Sequence, residues 1–188
     1  GATNISGDFD ILDDVTITGN GAGSTIVDGN NNDRVFEVQS GTATFQDLTI
    51  QNGSTSAGGG AIHVANGSMG VFDRVTMSGN AATGVSGFGG AIDNLGDVTL
   101  SNSVLSGNSS SADGGAIRHM GTGTLTIVDS TIGGNTAGIS GGALDIVGDA
   151  SLDGVTLTDP LPVLNSPMNG TRNPDDDESL NDIIAEGK

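Results

Sequence analysis

Cysteine, tryptophan and tyrosine are all missing from this chain, and five phenylalanines make up the whole aromatic class. Without cysteine there is no disulfide framework and no thiolate metal site, so cysteine usage says nothing about redox compartment. Without Trp or Tyr an extended sugar chain has almost nothing aromatic to stack on, which weighs against carbohydrate chemistry. Cations are scarce too: five Lys and Arg face 23 acids, for a formal net charge of −18. Nucleic acids and anionic membranes both need clustered positive charge, so neither is an expected partner. No stretch approaches the ~18 apolar residues of a membrane-spanning helix. The residues after Gly1 carry no basic-then-apolar leader, so any secretion signal is expected to have been removed or never included.

What is abundant is glycine, 33 of 188 residues, together with short runs of Val, Ile, Thr and Asn. Hydrophobic residues make up 34%, thin for a globular enzyme but enough for a narrow core of stacked aliphatic side chains. Self-comparison reveals a period of about 27 residues. One marker is Gly-Gly-Ala-Ile/Leu, at Gly59 to Ile62, Gly89 to Ile92, Gly114 to Ile117 and Gly141 to Leu144. A second is an apolar–polar–Thr–apolar stretch ending near Asn, as in residues 47–52, 74–80, 103–108 and 130–135. An earlier copy (14–20) and a degenerate later one (154–160) bracket the set. Alternation within the copies has the period of strands, and Gly-Gly would destroy helices.

Alignment of the copies yields three apolar columns. They are Phe36, Ile62, Ile92, Ile117, Leu144; Leu12, Phe45, Phe72, Leu100, Ile127, Leu152; and Ile17, Ile50, Met77, Leu105, Ile132, Leu157. Three short strands per copy, each with an inward apolar residue, describe a right-handed parallel β-helix of about six coils. At ~4.8 Å per coil the rod is roughly 29 Å long. The solenoid is expected over residues 1–159. Residues 160–188 hold all four Pro and form a distinct acidic tail, expected to serve as cap, linker or docking segment. Leu180, Ile183 and Ile184 there sit at i, i+3 and i+4, which predicts a short amphipathic docking helix.

The paired motifs, such as Gly89 to Ile92 followed by Asn108, resemble the β-helix repeats of large bacterial surface proteins. They are similar to the passenger regions of polymorphic outer-membrane proteins and to pectin-lyase-like β-helices. Residues 24–38 resemble the opening coil of such domains, and the likeness covers about residues 5–159. It implies a β-helix at a bacterial or archaeal cell surface or outside the cell. It does not choose an activity, because the same scaffold carries lyases, hydrolases, adhesins and inert stalks.

Four groups of residues are candidates for function. Asn20, Asn52, Asn80, Asn108 and Asn135 recur at one corner, where amides can stack into a structural ladder. The residue after each Gly-Gly-Ala-Ile/Leu motif, with its Phe36 counterpart, gives an outward column, Glu37, His63, Asp93, Arg118, Asp145. A catalytic reading would make His63 a base; a cross-strand charge ladder is the simpler expectation. Inserts of varying length fall between the Asn column and Gly-Gly, and Val85 and Phe88 in the longest mark a candidate interaction loop. An acid column at another corner (Asp14, Asp47, Asp73, Asp129, Asp153, with Asn102) reads as turn chemistry. Calcium is the one cofactor these acids, or the Asp175–Glu178 cluster, would admit. The expected function is a non-catalytic structural or adhesive module, with itself (stacked end to end as a filament) or a surface ligand as partner. A carbohydrate-active enzyme is the alternative.

Overall fold

A computed structural model describes residues 7–158 and the backbone of a further strand, Leu164–Asn165. All the strand pairs are parallel, in three sheets, as a solenoid of about 6 turns requires. The first face runs through Phe9–Ile11, Phe36–Val38, Ile62–Val64 and Ile92–Asn94. The second runs through Val15–Thr18, Thr42–Gln46, Met69–Asp73 and Asp97–Ser101. In the fifth and sixth coils these two faces fuse into single long strands, Ile117–Val128 and Leu144–Asp153. The third face has six strands, from Ile26–Asp28 to Thr156–Leu157. A fourth, short rank of two-residue strands (Ser54–Thr55, Ala81–Ala82, Ser109–Ser110, Thr136–Ala137) lines the insert corner.

The Gly-Gly-Ala-Ile/Leu motif has a steric cause at that corner. Its first glycine sits at positive φ in every copy (70° at Gly59, 59° at Gly89, 67° at Gly114, 63° at Gly141), a conformation that penalises other residues. Its second has no room for a side chain: a Cβ on Gly90 would lie 2.2 Å from the Gly115 carbonyl oxygen. Ala61, Ala91, Ala116 and Ala143 follow, fully buried, and then the first apolar column begins.

Register confirms that column and extends it to Phe9, which pairs with Phe36. The other two columns need correction in the first coil. Ile17 pairs with Phe45, so it belongs to the second column, and Val27 pairs with Ile50 to open the third. Leu12 lies in neither and is 55% exposed. The first coil takes a longer route from second to third face, through Gly21 to Thr25, so alignment on its VTIT motif slips by one face. Phe9, exposed at the end of the rod, and the buried Phe36, Phe45 and Phe72 touch in succession, with ring centroids 5.6, 4.9 and 5.3 Å apart. Gly70 makes room for this stack, since a Cβ there would come within 2.9 Å of the Phe72 ring.

Candidate functional site

The charge column lies on the first face in continuous register: Asp10, Glu37, His63, Asp93, Arg118, Asp145. Strand alternation turns these side chains away from the core, and an exposed ladder was the expectation. Instead Asp93, Arg118 and Asp145 are buried. The insert corner folds over the first two. Gly58 lies so close above Asp93 that a Cβ there would be 2.3 Å from the carboxylate. The Phe88 ring covers Arg118, its centroid 3.9 Å from Cζ, a cation–π contact. Phe88 is therefore turned inward, whereas Val85 at the tip of the same loop is 100% exposed. Alternation reports which way a side chain leaves the sheet; it cannot report what lies on top.

Within the column Arg118 Nε donates to Asp93 Oδ1 at 2.8 Å, and Asp93 Oδ2 lies 3.2 Å from His63 Nδ1. The carboxylate thus holds one ring nitrogen of His63, an arrangement that can orient a base. No hydroxyl or thiol among the described residues is hydrogen-bonded to His63 as a nucleophile would be. At the first coil, carboxylate oxygens of Asp8, Asp10 and Glu37 lie within 4.8 Å of one another. The Arg34 guanidinium already sits among them, Nη1 being 3.4 Å from Asp8 and 3.3 Å from Glu37. A cation's charge is supplied there by the chain itself.

The asparagine ladder comprises Asn80, Asn108 and Asn135, all buried. Asn80 donates both its backbone N–H and its amide Nδ2 to Asn108 Oδ1, each at 3.0 Å. Asn108 does the same to Asn135 Oδ1, at 3.0 and 2.9 Å. The second amide hydrogens go to the carbonyls of Ile50, Met77 and Leu105. Two residues expected in the column stand outside it. The backbone N–H of Gly53 takes the equivalent place, donating to Asn80 Oδ1 at 2.9 Å, so Asn52 is one position early. Asn52 turns outward at φ 53° and donates to Asp28. Asn20 is exposed beside Asp47, on the corner between second and third faces. A second, shorter ladder escaped the sequence reading. Ser103 Oγ accepts from Val75 N, and Ser130 Oγ from Ser103 N, at 3.0 and 3.2 Å; both serines occupy one repeat position, which was the available signal.

The acid corner is a left-handed turn. Asp47, Asn102 and Asp129 occupy it together with Arg74, at φ 55°, 50°, 45° and 55°. Three acids expected there stand elsewhere: Asp73 and Asp153 lie one residue earlier, paired with Gln46 and Val128, and Asp14 precedes its second-face strand. Arg74 binds Asp47 through Nε and Nη2, at 2.7 and 2.8 Å, and also pairs with Asp73. The hydrogen bond from Arg74 holds the Asp47 carboxyl below its ordinary range, and that from Asn102 does the same for Asp73. Thus these carboxylates already have partners within the chain. The Asp175–Glu178 cluster and the docking residues Leu180, Ile183 and Ile184 lie outside the described residues.

Geometry therefore defines a parallel β-solenoid whose polar columns are knitted internally. Residues 102–119 match the Chlamydia polymorphic membrane protein repeat. That stretch holds a left-handed corner (Asn102), a third-face strand (Val104–Ser106), a ladder amide (Asn108) and the Gly114 to Ile117 turn. No curated protein and no solved structure matches the chain.

Proposed function

We propose that this chain is a non-catalytic module of a bacterial cell surface, a rigid rod that presents its faces and corner loops for adhesion or assembly. The observation that carries this reading is the fate of the ionisable column. Asp93 is bound between Arg118 and His63 and roofed by the insert corner, an arrangement that stabilises a surface and leaves its carboxylate no access to substrate. The match to a membrane-protein repeat supports the cell surface as the location. Stacking on a second copy is a further part of the proposal, because the first described coil exposes Phe9, Leu12 and Ile26.

The competing reading, a carbohydrate-active enzyme, draws on the His63–Asp93 contact. Incubation with acidic and neutral polysaccharides, followed by assays for unsaturated products and reducing ends, tests it. No turnover is expected. Turnover abolished by His63→Ala in a folded protein would overturn the proposal.

A further inference from the structure

Beside the charge column the register lines up a second outward rank. Gln39 N bonds Ile11 O, Ala65 N bonds Val38 O, Leu95 N bonds Val64 O, and Met120 pairs with Val147. The rank that results is Leu12, Gln39, Ala65, Leu95, Met120, Val147, apolar in every coil but the second. Leu12, Met120 and Val147 are 55%, 45% and 44% exposed. This is an apolar stripe one residue wide, parallel to the rod axis and about 24 Å long at ~4.8 Å per coil.

Its spacing selects an occupant. An α-helix lying along the axis repeats every ~5.4 Å, so one apolar residue per turn meets one coil with a drift of only ~0.6 Å. A strand laid the same way repeats same-side residues every ~6.8 Å and falls out of step after one coil. Charge selects further. Asp10 and Glu37 flank the stripe on one side, and Asp97 and Asp149 lie on the other. Each described arginine, Arg34, Arg74 and Arg118, is ion-paired within the chain, so the described surface offers no free guanidinium. A second copy laid alongside fits badly, because it brings the same acids to the stripe.

We infer that the stripe Leu12, Ala65, Leu95, Met120, Val147 receives a basic amphipathic helix of a partner protein, laid along the rod. This rests on the interaction-module reading and names the partner's chemistry. The probe is a synthetic helix of about 16 residues with one leucine stripe and lysines elsewhere, compared with a scrambled peptide of equal composition. Both are titrated calorimetrically into the full chain. Tighter binding of the helix is expected, weakened about tenfold by Met120→Glu with Val147→Glu. It is expected to be unchanged by Val104→Glu with Thr131→Glu, a control pair on the third face. Equal binding of the scrambled peptide, or equal loss in the control pair, would reduce the effect to net charge and overturn the inference. So would tighter binding after Leu180→Glu with Ile183→Glu, which would show that the chain's own tail fills the stripe. Such failures leave the non-catalytic reading standing, because the turnover assay decides that separately.

Discussion

Asn108 donates its side-chain amide to Asn135 Oδ1 at 2.9 Å, and the same oxygen accepts the Asn108 backbone N–H at 3.0 Å. One side chain thereby satisfies a turn's backbone and its neighbour's amide at once, in a place closed to water. Replacement of Asn108 by alanine removes the acceptor for both Asn80 donors and leaves buried groups unpaired. A loss of about 1–3 kcal/mol is expected in urea denaturation. Asn66→Ala, at an exposed turn, should stay within roughly 0.5 kcal/mol of the parent. Equal effects at the two sites would mean that the ladder contributes nothing.

The two kinds of glycine at the corners should separate cleanly. A Cβ on Gly90 meets the Gly115 carbonyl at 2.2 Å, whereas Gly107, at φ 65°, has nothing within 4 Å of its Cβ position. Gly107→Ala therefore suffers only left-handed strain, about 1–2 kcal/mol. Gly90→Ala must push two coils apart and should cost ~3 kcal/mol or more. A Gly90→Ala midpoint equal to that of Gly107→Ala would mean that the coils are not held in close contact there.

The repeat made the solenoid legible because each structural demand recurs in every coil. Gly-Gly-Ala-Ile/Leu marks a turn with no room for side chains, and Phe36 to Leu144 mark the inward column. Legibility failed where one coil departs from the rest. In the first coil the VTIT motif places Ile17 one face too late, since the extra residues at Gly21 to Thr25 lie between its second and third strands. Asn52 carried the right residue type one place too early, and only the hydrogen bond from Gly53 shows which position the ladder uses. Coverage was invisible for a different reason. Nothing in the alternation around Asp93 or Arg118 shows that Gly58 and Phe88, from other coils, close over them.

That coverage makes the Asp93–Arg118 pair a sharp test of the column. Arg118→Met leaves a carboxylate buried beneath Gly58 with His63 as its remaining partner, and removal of one member of a buried pair typically costs ~3–5 kcal/mol. The double variant Asp93→Asn with Arg118→Met removes both charges and should recover much of that loss. Thermal and urea unfolding of the two single variants and the double variant give the coupling energy. Additive losses would place the pair in solvent, contrary to the geometry.

His119 sets a pH limit on the rod from within. It pairs in register with Asn94 on one side and Ile146 on the other, on the inward side of the first face, and is fully buried. The Asn94 amide nitrogen lies 2.9 Å from Nδ1, and Nε2 is buried without a well-formed hydrogen bond. Burial pushes the imidazole's pKa below its ordinary value of 6.5, against a weaker upward pull from backbone groups of Gly123, Asn94 and Asp149 and from Asp97. The unfolded chain therefore binds a proton more readily than the folded one. The contribution of neutral His119 is complete above the unfolded pKa of ~6.5 and is lost as pH falls from there toward the lowered folded value. Urea unfolding between pH 8 and pH 5 should show stability declining below about pH 6.5. His119→Leu should be flatter through that window, although its unfilled Asn94 amide lowers stability at every pH. His63→Gln, at the chain's other histidine, is the companion variant and should leave the His119 slope in place. An unchanged slope in His119→Leu would assign the acid sensitivity to some other group.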